Sequence, residues 1–237
     1  MSFDAPDHNL DSTIARLYSN DANDRVKAAG ELGEIGTPEV APKLLEVTYE
    51  DEASTVRQMA IQSYSEILGE QSLNEVIKVA DSHFDEYVRL YAIMILGRIG
   101  GPQVIDPLRR YLALEDEKAK AAALRAMIHA ETRENGDAVF DLLKKSKAPL
   151  IIRNCIEALS LWKYGDAKDY IRSKIFERED LSDLELKTIS AFYLAVMNDK
   201  SGRQYLQDEK IDNYIRIAVN DTHYHGRDGL LEAVSKL

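Results

Sequence analysis

The sequence predicts an all-α fold, a right-handed α-solenoid of about six to seven helical hairpins. A basic residue returns at intervals of 32, 32, 31, 33 and 34 residues, apolar residues around it follow a helical period, and a second amphipathic segment lies between successive basic residues. Repeats of this length stack into solenoids, because one hairpin alone cannot bury its apolar face. The recurring basic residues are Arg25, Arg57, Arg89, Lys120, Arg153 and Lys187.

The second helix of each predicted repeat contains the basic residue. Apolar residues recur at offsets −1, +3, +7 and +10 from it, as Ala28 and Leu32 do in the first repeat and Ala92 and Leu96 in the third. This spacing fits the 3.6-residue period of a helix and not the two-residue period of a strand. Each such stretch is therefore one amphipathic helix.

An aspartate stands four residues before the basic residue in four repeats. At that place its side chain can accept hydrogen bonds from the free N–H groups of the first helical turn. It can also reach the basic residue one turn on, and an exposed i,i+4 pair contributes roughly 0.2–0.5 kcal/mol. We therefore interpret the basic and acidic residues as a structural ladder and not as catalytic pairs. The aspartates are Asp21, Asp85, Asp116 and Asp183.

The first helix of each predicted repeat is shorter, and it begins at Pro, Gly, Ser or Asp, residues typical of helix starts. Pro42 and Pro107 stand inside two of these segments, where the missing N–H group predicts a kink. A less regular segment at residues 10–19 precedes the first basic residue. The predicted first helices are 38–49, 72–81, 102–113, 136–145, 166–176 and 201–220.

Two stretches, Asp-Arg-Val-Lys-Ala-Ala-Gly-Glu-Leu-Gly-Glu-Ile-Gly at 24–36 and Tyr-Val-Arg-Leu-Tyr-Ala-Ile-Met-Ile-Leu-Gly-Arg-Ile-Gly at 87–100, resemble HEAT-like repeats of the phycobilisome-lyase type. The resemblance extends over about residues 10–237 and is strongest in 24–131. It implies an armadillo-like stack of helical hairpins. For function it implies either a protein-binding scaffold or one of a few enzymes and lyases, because fold alone does not choose among them.

We expect one HEAT-like repeat domain over residues 1–237, with an N-terminal cap at about 1–20 and an irregular C-terminal repeat and cap at about 198–237. Cys155 is the single cysteine, which excludes an internal disulfide framework. The start of the chain is polar and no apolar run approaches 18 residues, so we expect a cytoplasmic protein without a membrane span. The sequence leaves the oligomeric state open, with a monomer favoured.

The net charge of −11 argues against nucleic-acid binding, which requires clustered cations to neutralise phosphates. None of the five histidines is followed by Glu, which excludes the di-iron chemistry of the HEAT-repeat deoxyhypusine hydroxylases. His223 and His225 lie near acidic residues, yet an ordinary polar loop is the preferred interpretation over a metal site. We expect no metal, no cofactor and no catalytic residue.

A candidate binding surface lies at offsets +2, +5 and +9 from each basic residue, on one flank of the second helix. In stacked repeats of this type we expect that row to line the concave face. Repeats three to six place aromatic, Met and Arg side chains there, the types in which interfaces concentrate binding energy. The alternative is that its apolar members complete the packing between repeats. The candidate residues are Tyr91, Met94, Arg98, Arg125, His129, Trp162 and Phe192.

Two functional hypotheses remain open. In the first, a non-enzymatic scaffold binds a protein or peptide partner, with Tyr91, Met94 and Trp162 as anchors and with Arg98 and Arg125 paired to acidic groups of the partner. In the second, implied by the family resemblance, the chain is a bilin lyase, isomerase or detachment subunit that acts on phycobiliproteins. Arg98 and Arg125 would then pair with the propionates of the tetrapyrrole, while Tyr91, Trp162 and Phe192 would flank its rings.

Overall fold

The computed structural model describes residues 10–178, 183–207, 215–219 and 222–237. The chain forms two compact units, Met1–Pro107 and Leu108–Leu237, here called unit 1 and unit 2. The described residues are predominantly helical, which confirms the predicted all-α HEAT-repeat solenoid as the fold class. Among these residues, no helix combines the length and the apolar character that crossing a membrane requires.

Unit 1 contains three antiparallel helical hairpins. The second helices, α2, α4 and α6, contact one another in sequence order. Their inward faces bury Leu32, Ile61 and Leu96, and the first helices add Leu44 and Val76 to the same core. The helices are α1 (Leu10–Arg16), α2 (Ala22–Ile35), α3 (Ala41–Glu50), α4 (Ser54–Leu68), α5 (Leu73–Ser82) and α6 (Glu86–Ile99), and α7 (Ile105–Leu112) begins at the end of the unit.

The first helices begin differently from the prediction. A short 3₁₀ turn, Pro38–Val40 or Pro102–Val104, precedes α3 and α7, so Pro42 and Pro107 fall in the first turn of each α-helix. At that position the missing N–H group would have had no partner within the helix. The predicted interior kinks are therefore wrong, because these prolines remove no hydrogen bond from the interior of either helix.

Unit 2 continues the same alternation. Helix α10 contacts α8 on one side and α12 on the other. The first helix of the next hairpin, α11 (Lys168–Ile171), runs on into a π-helical turn at Arg172–Phe176. The remaining helices are α8 (Glu117–His129), α9 (Gly136–Lys145), α10 (Pro149–Leu161), α12 (Leu184–Val196) and α13 (Lys200–Leu206).

The C-terminal segment departs from the helical prediction for 201–220. After α13 the chain forms a two-stranded antiparallel hairpin of β1 (Arg216–Val219) and β2 (Thr222–His225), with Ile217 opposite Tyr224. The last helix, α14 (Gly226–Lys236), contacts both strands, α12 and α13. Isolated two-stranded hairpins are marginally stable in water, and the contacts with α14 supply the support that this one needs.

Candidate binding site

The aspartates of the ladder cap the second helices, as the sequence predicts. The Asp21 carboxylate accepts a hydrogen bond from the Asn23 N–H group at 2.8 Å, and Asp85 accepts bonds from the N–H groups of Tyr87 and Val88. Asp116 and Asp183 cap α8 and α12 in the same way. Each cap satisfies N–H groups that have no partner within the helix.

The predicted pairing of each aspartate with the arginine of its own helix is wrong in unit 1. Arg25 donates from Nε and Nη2 to both carboxylate oxygens of Asp51, at 2.7 and 3.0 Å, and Arg57 pairs with Asp85. These acids lie in the following hairpin. Both arginines are only 6% exposed, so the ladder links repeats through buried ion pairs.

Helix geometry explains the change of partner. Side chains in a helix lean toward its N-terminus, so a long arginine in the second turn extends over the turn between the two helices. There Arg25 Nη1 donates to the Ser19 carbonyl and Arg89 Nη1 to the His83 carbonyl, each at 2.9 Å. Asp85 caps α6 through Oδ1 and receives Arg57 on Oδ2, which leaves its own Arg89 to the backbone.

Burial alone would raise the pKa of Asp85, but hydrogen bonds from Arg57, from Ser54 and from the backbone at Tyr87 and Val88 prevail and lower the pKa to about 2. The carboxylate therefore stays charged in the folded protein.

In unit 2 the ladder is more exposed to solvent. Arg153 pairs with Glu185, and these side chains are 28% and 48% exposed. Lys187 lies over the Tyr205 ring at 6.0 Å, and Lys120 is half-buried.

In unit 1, the predicted binding row is a connected and accessible surface. Tyr91 and Met94 are half-buried and Arg98 is exposed. The Tyr91 hydroxyl pairs with Gln62 Oε1 on the neighbouring second helix, and the Arg98 guanidinium lies 5.9 Å from the centre of the Tyr91 ring. A hydroxyl held at one end and a cation over the face fix the orientation of this ring. We call Met59, Gln62, Tyr91, Met94 and Arg98 the unit 1 row.

In unit 2, the same offsets give an exposed pair, the half-buried Val196 and a buried set. Arg125 and His129 are exposed on α8. On α12 the Phe192 side chain is completely buried, and Trp162, at the end of α10, is 7% exposed. Trp162 and Phe192 are therefore corrected from partner-binding residues to core residues. Other buried members of the row are Ala122, Cys155, Ala158 and Ile189.

Packing around α12 accounts for the burial of Phe192. Helices α10, α13 and α14 and the π-helical turn all contact α12, so its apolar positions face protein in several directions. The sequence already indicated this burial, because the residues of α12 at the three offsets are all apolar: Ile189, Phe192 and Val196. The Trp162 indole Nε1 is buried and has no hydrogen-bond partner among the described residues, so the polar end of this side chain also lies in the core and not at the surface.

The remaining chemical candidates form no site among the residues that the structure describes. Burial raises the pKa of the Cys155 thiol to about 12, so the group stays protonated and unreactive. His223 and His225 lie on strand β2 and not in the predicted loop, while the nearby Asp221 lies outside the described residues. Within the described part of the chain, no group of three or more His, Cys, Asp or Glu side chains could hold a metal ion.

The repeated hairpins, the capped second helices and the arginine ladder agree with the comparison of the sequence with known families. The profile described as HEAT repeats matches residues 10–82 and 73–160, well over half of the chain. The chain belongs to the HEAT-repeat family. The two matches reach as far as α10, the part of this HEAT-repeat protein in which the hairpins are most regular.

Among solved structures, the HEAT-repeat chain is similar to one from the complex of CpcE and CpcF of phycocyanin lyase from Nostoc sp. PCC7120. The TM-score is 0.52 at 16% sequence identity, over 89% of this chain and 85% of the other. This similarity shows a shared fold, in agreement with the HEAT-like resemblance of the phycobilisome-lyase type. No curated protein matches the sequence.

Sequence reasoning missed one group of residues in this HEAT-repeat protein. Phe84 and Tyr87 are large, aromatic and strongly exposed, and they flank the capping residue Asp85. They fall outside the three offsets of the predicted row. Their signal in the sequence was an aromatic residue on each side of a predicted helix start, where polar residues are the usual choice.

Proposed function

We propose that this chain is a non-enzymatic scaffold that binds a protein or peptide partner along the unit 1 row. The observation that supports it most directly is the fixed aromatic and cationic pair of Tyr91 and Arg98 on an accessible surface. Tyrosine and arginine are enriched where binding energy concentrates, and an anchor that is already oriented loses little entropy on binding. Met59 and Met94 beside it supply adaptable apolar area.

The experiment is affinity capture with the full chain as bait from cells that express it naturally. A Tyr91→Ala/Arg98→Ala double variant replaces both parts of the anchor and leaves the buried core intact. Asn74→Ala, an exposed position on the first helix α5, is the matched control. We expect a partner that is recovered with wild type and Asn74→Ala and is lost with the double variant at an unchanged melting temperature. Recovery of every partner by the folded double variant would contradict the proposal.

The second candidate, a bilin lyase, isomerase or detachment subunit, rests on the family resemblance and the shared fold. The burial of Trp162 and Phe192 counts against it, because two of the three aromatic side chains meant to flank the tetrapyrrole are in the core. Free bilin added to the purified protein should leave the visible absorption spectrum of the pigment unchanged. A saturable shift of the absorption band that Arg98→Ala abolishes would favour this candidate over the scaffold.

A further inference from the structure

Among the described residues of unit 1, from Leu10 onward, the exposed large apolar side chains lie in turns or in the first turn of a helix. Tyr18 is 54% exposed, Phe84 69% and Tyr87 65%. Tyr18 and Phe84 lie in turns between a first and a second helix, and Tyr87 lies in the first turn of α6. Single exposed apolar residues are normal on a protein surface, but a concentration of them marks an interaction site.

In each hairpin of unit 1 a turn joins the first helix to the second, and the arginine ladder holds these three turns next to one another. Arg25 bonds to the Ser19 carbonyl in the first turn and to the Asp51 carboxylate in the second. Arg57 bonds to the Asp51 carbonyl in the second turn and to Asp85 in the third. The three turns therefore form one edge, here called the turn edge, which comprises residues 17–24, 50–55 and 81–87.

The Phe84 ring is held in place on the turn edge although it is exposed. The His83 ring stacks on it at 4.4 Å between centroids, and the Arg57 guanidinium lies 4.9 Å from its centre. His83 is itself buried, and its Nε2 pairs with the Thr48 carbonyl at 2.9 Å. A rigid exposed aromatic ring loses little entropy when a partner covers it.

A cavity of about 430 Å³ opens on the turn edge beside Tyr18. Leu17 and Val47 form its apolar floor, and Glu46, Glu50 and Glu52 are exposed around it. Helix α3 ends here at Glu50, where the partial negative charge of a helix C-terminus favours cations. The last turn of α3 has no basic residue, and the nearby Arg25 is engaged by Asp51 and Ser19.

Charge complementarity selects the chemistry of the occupant. The turn edge has no lysine or arginine and contains eight acidic residues: Asp21, Asp24, Glu50, Asp51, Glu52, Asp81, Asp85 and Glu86. Arg25 and Arg57 contribute buried cations from behind it, and the half-buried Arg16 and Arg89 bind Asp24 and the His83 carbonyl, so acidic residues outnumber arginines at this edge by eight to four. Exposed aromatic faces and carboxylates together bind lysine and arginine side chains through cation–π and ionic contacts.

We propose that the turn edge of unit 1 binds a basic, partly apolar segment of a partner protein. A lysine or arginine side chain of that segment enters the cavity beside Tyr18, between the ring and the carboxylates at the end of α3. Apolar residues of the segment cover Phe84 and Tyr87. This surface has no residue in common with the unit 1 row, although Tyr87 lies one helical turn before Tyr91 on α6.

The experiment measures the binding of a fluorescent twelve-residue peptide containing four arginines and four leucines, together with a counterpart in which glutamates replace the arginines. Wild type should bind the arginine peptide at least about tenfold more tightly than the glutamate peptide, with affinity falling as salt rises. Tyr18→Ala/Phe84→Ala should weaken binding about tenfold, and Glu50→Gln/Glu52→Gln should weaken it and reduce the salt dependence.

Leu150→Ala/Leu184→Ala is the matched control, because these leucines are exposed in the first turns of α10 and α12 in unit 2. Its affinity should stay within about twofold of wild type. Tyr18→Ala alone is a second test that does not disturb the stack of Phe84 on Arg57 and His83, because Tyr18 makes no contact with that stack. It should therefore fold normally and still weaken binding. Equal binding of both peptides, or an unchanged affinity in the folded aromatic variants, would overturn the proposal. So would self-association of wild type that the aromatic variants abolish.

Discussion

The second helices α6 and α12 occupy equivalent places in their repeats, yet they use the same offsets for opposite purposes. In α6 these positions hold Tyr91, Met94 and Arg98, which remain accessible, whereas in α12 Ile189 and Phe192 are buried and only Val196 is half-buried. The exposure of the ladder differs in the opposite direction: its ion pairs are buried in unit 1, and the pair in unit 2 is half-exposed. A repeat position therefore has no fixed role, because the elements packed against it decide whether it faces protein or solvent.

The largest expected effect is on the row itself. Phe192→Ala should lower the free energy of unfolding by about 3–5 kcal/mol, because it removes a completely buried ring and leaves a cavity. Met94→Ala, at the equivalent offset in α6, should cost about 1 kcal/mol, because the side chain is already half-exposed. Urea unfolding followed by circular dichroism compares the two variants. Equal losses would show that the two rows are packed alike.

The ladder should show the opposite order between the units. Arg57→Met leaves the Asp85 carboxylate, 10% exposed, without its cation, and we expect a loss of about 3 kcal/mol. Arg153→Met opens an ion pair that water already screens, so the expected loss is at most about 1 kcal/mol. The same unfolding measurement applies. A cost for Arg153→Met as large as that for Arg57→Met would remove the distinction between a buried and an exposed ladder.

Two helical glycines, one in each unit, compare how closely neighbouring helices pack. A Cβ atom at Gly202 in α13 would lie 2.6 Å from the Ala195 nitrogen and 2.7 Å from Leu194 Cβ, so Gly202→Ala should cost about 1–3 kcal/mol. A Cβ at Gly30 in α2 would meet only the Met59 sulfur at 3.6 Å. Gly30→Ala should therefore be neutral or stabilise the protein by up to about 1 kcal/mol. Differential scanning calorimetry distinguishes these outcomes, and a stable Gly202→Ala would refute close packing between α12 and α13.

The smallest expected effect is on the pH dependence of stability, where one aspartate in each unit should make a similar contribution. The pKa of Asp85 is lowered to about 2, and so is that of Asp199, where hydrogen bonds from Ser201 and Arg172 outweigh burial. A lowered folded-state pKa adds stability above the unfolded-state pKa near 4, and that stability is lost as the pH falls toward about 2. Each group should contribute roughly 1–2 kcal/mol. Asp85→Asn or Asp199→Asn should reduce the slope of unfolding free energy between about pH 4 and 2, and an unchanged slope would contradict the assignment.

Local features were predictable because they depend on neighbours in the chain. The capping by Asp21, Asp85, Asp116 and Asp183 follows from a carboxylate placed directly before a helix, and the helical period follows from the apolar spacing. The partners of Arg25 and Arg57 lie 26 and 28 residues away, and no local pattern distinguishes Asp51 from Asp21 as the acceptor. The β-hairpin near the C-terminus was also missed, because its strands are only four residues long.

The sequence by itself determined the repeat, the helical hairpins, the caps and the membership of the HEAT-repeat family, since all of these follow from periodicity and from contacts within a few residues. Tertiary structure alone decided which row members are accessible. Tyr91 and Arg98 stay at the surface of unit 1, while contacts of α12 with α10, α13 and α14 bury Phe192. The physical reason is that burial depends on the elements that pack against a side chain, and these elements are distant in sequence.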